Sequence, residues 1–250
     1  MRSANPALNA NSFANLAVGL GDTDRMSLQG TVTKSMGLLL LVVVAASWSW
    51  KLYFASGAGA VMPLAMGGAL VGMGIAIVTI MKKTWAPFTA PLYAVAEGVM
   101  LGAMSGIVQA QFPDQQIVAQ AVGLTFGTFG ALLLAYTSGM IKPSENFRLG
   151  LFAATGGIML LYLATMVLGF FGVSIPFIHG SGPIGIGFSL FVVVIAALNL
   201  VLDFDFIENG VEAGAPKYME WYAAFGLLVT LVWLYIEYLR LLAKLASSRR

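Results

Sequence analysis

"IGIGFSLFVVVIAALNLVLDFDFI", residues 184–207, runs apolar almost to its end, where two acids interrupt it. Crossing the hydrocarbon core as a helix takes about 20 such residues. The run does not alternate polar and apolar at every second position, as a barrel strand would. It reads as a membrane-spanning helix. Its end, "NLVLDFDFIENG" at residues 199–210, places Asp203 and Asp205 inside that span. There a carboxylate costs roughly 2.5–3.5 kcal/mol on insertion scales, so each acid needs a reason to be present.

Six further runs have the same character: 33–54, 58–81, 88–110, 116–139, 149–174 and 217–244. The separators "KKTW", "QFPDQ", "KPSENFR", "SIPFIHGSGP" and "ENGVEAGAPK" carry the polar and turn-forming residues. Composition agrees, with 59% hydrophobic and 10% charged residues against roughly 25% charged in soluble domains. The fold class is therefore all-α, a polytopic membrane protein built as a seven-helix bundle over residues 33–250. Residues 1–32, rich in Asn, Ala, Ser and Gly, are expected to form a mobile tail.

An odd number of spans puts the two ends of the chain on opposite sides. With the N-terminus inside, Lys82, Lys83, Lys142, Arg148 and Lys217 fall on inner loops or span ends, as the positive-inside rule requires. The basic tail ending Arg249–Arg250 pulls the other way. Gly68/Gly72, Gly102/Gly106 and Gly123/Gly127 are small-xxx-small pairs, which serve tight packing within a bundle or pairing between chains. Trp48, Trp50, Tyr53 and Trp85 sit at span ends, where amphipathic rings anchor to the interface.

Of the few charges within spans, three stand out: Glu97, Asp203 and Glu237. Glu97 is about 14 Å along the third span, flanked by small residues that admit a neighbouring helix. Asp203 is four residues from the inner end of its span, about 6 Å deep. Two residues turn a helix by about 200°, so Asp203 and Asp205 face opposite ways. Asn199, Asp203 and Ile207 share one stripe, which is expected to face the interior. Asp205, Glu208 and Glu212 share another, which reads as interfacial and solvated. Glu237 has Arg240 three residues on, the spacing of a helical ion pair.

The chain has no cysteine and a single histidine, His179, so neither a thiolate site nor a multi-histidine metal site can be assembled. A net charge of +2 gives no ground for a nucleic-acid partner. No phosphate-binding loop, nucleophile elbow or dinucleotide fingerprint occurs. Neither enzymatic activity nor a cofactor is expected.

"LDFDFIENG", "KYMEWYAAF" and "WLYIEYLRLL" together resemble the Bax inhibitor-1/YccA family of seven-span membrane proteins. "AEGVMLGAMSG" and the "NPAL" tail are similar to the longer bacterial members. The resemblance covers nearly all of the chain. It implies a seventh helix at the centre, wrapped by the other six, and a location in a bacterial inner membrane. It also implies a pH-sensitive leak of calcium or another cation, gated by two aspartates on the sixth and seventh spans.

Asp203 matches the first of those aspartates. The second falls between Leu228 and Thr230, where no acid stands. Glu97 is then the expected partner, because its span enters from the same side. Glu237 would lie nearly a membrane thickness away. Protonation of Asp203 would switch the charge lining the path, and a second nearby carboxyl would couple the two titrations. The alternative is a non-conducting protein that modulates a membrane-bound protease or another membrane partner.

Overall fold

Ser27 begins the first helix. Its backbone is extended (φ −128°, ψ 150°), and its hydroxyl accepts a hydrogen bond from the Gly30 amide. That is the N-cap geometry that satisfies one of the donors left open at a helix start. A computed structural model describes residues 25–171 and 180–249. Within them run seven long helices: α1 Leu28–Ser56, α2 Ala58–Met81, α3 Ala86–Gln111, α4 Ile117–Thr137, α5 Glu145–Phe170, α6 Pro183–Glu212 and α7 Met219–Ser247. Single 3-10 turns lead into α3 and α4. Each of the seven is long and apolar enough to cross a membrane.

The spans inferred from hydropathy match these helices, with ends shifted by up to five residues, and two of the shifts bear on the site. α1 begins at Leu28 instead of 33, because its first polar turns are capped and buried: Thr31 and Ser35 face inward. Met26, within the stretch assigned to the tail, is also in the core and donates its amide to the Ala215 carbonyl. Residues 1–24 lie outside the described residues, as does His179. α6 continues to Glu212, five residues past the expected end, and stops where Gly214 takes a positive φ of 64°.

α1 and α2 are joined by Gly57 alone, at φ 78°. A residue with a Cβ adopts that conformation only under strain. Chain reversal at every connection puts the start of α1 and the connections α2–α3, α4–α5 and α6–α7 at one end of the bundle, the near end. The far end holds the α1–α2 and α3–α4 connections and the end of α7.

α7 is the most enclosed helix, with Tyr222, Phe225, Leu234 and Leu239 almost wholly buried. It packs on α6, α1, α3 and α4. The expected wrapping by all six helices is thus incomplete. α2 lies outside against α3, and α5 lies outside against α6. The surface is inverted relative to a water-soluble protein, with Leu40, Met66, Leu70, Leu134 and Leu160 all more than 60% exposed. An apolar surface of that extent belongs in lipid.

Two glycine pairs serve internal packing. A Cβ on Gly102 would lie 2.0 Å from the Ala46 carbonyl oxygen of α1, and one on Gly68 would lie 2.8 Å from that of Ala96. Gly123 and Gly127 differ, since nothing lies within 4 Å of a Cβ at either position.

Candidate functional site

Asp203 is completely buried. Its stripe-mates Asn199 and Ile207 are 1% and 6% exposed, so the stripe expected from helical geometry faces the interior. Asn199 donates through Nδ2 to Thr155 Oγ1 of α5 at 3.0 Å and to the Ile195 carbonyl at 2.8 Å. Its Oδ1 is buried with no hydrogen-bond partner among the described residues. A short connection joins α6 to antiparallel α7. Nine residues back from Glu212 brings Asp203 level with Leu228. Leu228 and Thr230 are both 2% exposed. The only acids on α7 are Glu220 and Glu237, so no carboxyl of α7 is level with Asp203.

On the opposite stripe Glu208 and Glu212 are exposed, as expected, and only Asp205 departs from a solvated edge. Asp205 is partly buried and pairs with Arg148 of α5 at 2.9 Å. Glu208 accepts a hydrogen bond from the Tyr136 hydroxyl of α4. These acids clamp α5 and α4 to α6.

Glu97 does not meet Asp203. α3 packs on α1, α2 and α7 and scarcely touches α6. The Glu97 carboxyl instead faces α2, with Oε1 2.7 Å from where a Gly72 Cβ would stand. Gly72 is the small residue that leaves room for it. The Tyr93 hydroxyl, one turn earlier, is its hydrogen-bonding neighbour, and Oε2 is buried without a partner among the described residues. Sequence reasoning placed Glu97 among small residues that admit a neighbouring helix, as Gly72 does. It could not tell which face of α3 turns toward α6.

Glu237 is 1% exposed. It is bound by Arg240 at 3.0 Å and by the Tyr162 hydroxyl of α5 at 3.0 Å, while the guanidinium stacks 4.9 Å from the Tyr162 ring. The helical ion pair expected from the spacing is present. Counted from the α6–α7 connection, Glu237 lies nine residues beyond Asp203's level, about 13 Å. From the start of α7 at Met219 it is about 27 Å, the near-membrane thickness expected from Asp203's end of the bundle. Farther along α7, Lys244 donates to the Gly185 carbonyl at 3.0 Å and to Ser189 Oγ at 2.8 Å.

Glu220 escaped the sequence reading. It is wholly buried at the near end and accepts from the Ser27 amide at 2.9 Å and the Ser27 hydroxyl at 2.8 Å. Lys34 and Lys217 both pair with it. In a capping box, a Glu at the third helical position accepts from the N-cap amide. Here that position is Gly30, and the carboxylate of Glu220 fills the space its side chain would take, 2.2 Å from an added Cβ. α7 thus completes the cap of α1. The signal in sequence was a Ser-x-x-Gly helix start, but its partner is 193 residues away.

Among the described residues, no group of three His, Asp or Glu side chains is placed to hold a metal ion. Seven antiparallel helices, a lipid-facing exterior and buried carboxyls define a polytopic α-helical membrane protein. The profile of the family described as Bax inhibitor 1 like matches residues 5–247, and the chain belongs to that family. No match among curated proteins was found.

Proposed function

We propose that the protein is a passive, proton-sensitive leak for calcium or a similar cation, with Asp203 as its sensor. The observation that carries this reading is the complete burial of Asp203 on the central α6–α7 pair, one turn from the buried Asn199. Polar residues inside a membrane bundle are costly and mark ion or proton paths. Ionised, Asp203 offers a cation a ligand. Protonated, it becomes a neutral donor that can tie α6 to a neighbouring helix. No carboxyl of α7 stands at its level, so a second acid on α7 has no part in this sensor. Glu237, held by Arg240 and Tyr162, is assigned to the scaffold.

The test is calcium entry into liposomes containing only the purified protein and an internal calcium dye. Entry above that of protein-free liposomes is expected. Entry equal to theirs, with the protein folded, would overturn the leak and favour a non-conducting partner of another membrane protein.

A further inference from the structure

α1 and α4 stand apart, and between them a crevice of about 480 Å³ opens sideways, with α3 and α7 as its floor. Its rim residues Val43, Val122 and Phe126 are 52%, 41% and 46% exposed. They belong to the same surface that faces lipid. The mouth therefore opens into hydrocarbon, not water.

Every hydroxyl lining it is already committed. Ser47 donates to the Val43 carbonyl at 2.7 Å, and Thr125 to that of Ala121 at 2.8 Å. Ser105 bonds the Leu101 carbonyl and the Tyr235 hydroxyl, both at 2.6 Å. A hydrated ion or polar ligand would lose its water here and gain nothing in return. An alkyl chain would lose nothing.

Length and charge narrow the occupant further. The α1 wall runs from Leu39 to Lys51, about 18 Å, slightly more than one leaflet of a hydrocarbon core about 30 Å thick. Lys51 closes the crevice at the far end, exposed and with no ion pair among the described residues. The described charges at that end are basic at Lys51, Arg240, Lys244 and Arg249, against Asp114 and Glu237. Glu237 is itself engaged by Arg240. Trp50 lines the same end of the crevice, at the depth where indole rings meet headgroups.

We infer that this crevice is a binding site for one anionic phospholipid, with an acyl chain between α1 and α4 and the headgroup at Lys51. The experiment is native mass spectrometry of the full-length protein, delipidated in detergent and then offered equal amounts of palmitoyl-oleoyl phosphatidylglycerol and phosphatidylcholine. One retained lipid per chain is expected, with the glycerol lipid preferred by about fivefold, the factor for one lysine near an anionic headgroup.

Lys51→Gln should keep the lipid and lose the preference. Val43→Trp and Val122→Trp, each filling the mouth from a different helix at a half-exposed site, should both lose the lipid while keeping the unfolding temperature. No retained lipid in the wild type, or undiminished retention in both tryptophan variants, would overturn the site. So would a lipid-free dimer that either tryptophan disrupts, since a second copy would then fill the crevice. An unchanged preference in Lys51→Gln would overturn the placement of the headgroup.

Discussion

Glu220 and Glu97 are both buried carboxyls, on helices that pack against each other, yet their surroundings are opposite. Glu220 is met by two lysines, a hydroxyl and an amide, all drawn to where α1 and α7 begin. Glu97 has one hydroxyl neighbour, a glycine that makes room for it, and an oxygen with no partner among the described residues. Burial alone does not make a carboxyl a fastener. The neighbours do. Charges and donors that saturate a carboxyl make it a fastener, whereas Glu97 is held by packing and one hydroxyl.

The largest effect is expected at the fastener. Glu220→Ala strands Lys34 and reopens the Ser27 amide, and breaking a buried pair from one side costs about 3–5 kcal/mol. A large fall in unfolding temperature in detergent is the readout, and an unchanged temperature would dissolve the contrast with Glu97. Gly102→Val comes next. It drives a branched side chain into the Ala46 carbonyl and should cost about 3 kcal/mol. Gly123→Ala, with open space around it, should leave stability unchanged or improve it by up to about 1 kcal/mol. The smallest effect belongs to Glu97→Gln, which keeps the shape and the Tyr93 neighbour. A change below about 1 kcal/mol is expected, together with an unaltered pH response of calcium entry. Loss of that response would bring Glu97 back as partner to Asp203.

Much of this was legible beforehand. The seven helices follow from runs of apolar length, and the division between Asp203 and Asp205 follows from helical angle alone. Gly68 and Gly102 announced close helix contact. What stayed hidden depends on tertiary register. "SLQGTVTKS" looks like tail because Ser27 and Lys34 find their partner in the distant Glu220 carboxylate, while Thr31, Thr33 and Ser35 bond carbonyls four residues back in the helix itself. Glu220, at the start of α7, looks interfacial for the same reason. The face of α3 carrying Glu97 is decided by which helix claims Gly98 and Gly102, and α1 claims both.

The central claim is that Asp203, not Asp205, senses protons. Calcium entry into liposomes of pure protein should be followed between about pH 5 and pH 8, the interval in which a physiological switch must titrate. The account predicts that wild-type entry varies across that range and that Asp203→Asn flattens it. Asp205→Asn should loosen the Arg148 contact, lower the unfolding temperature and keep the pH response. An unchanged profile in Asp203→Asn, or a larger loss of pH response in Asp205→Asn, would contradict it.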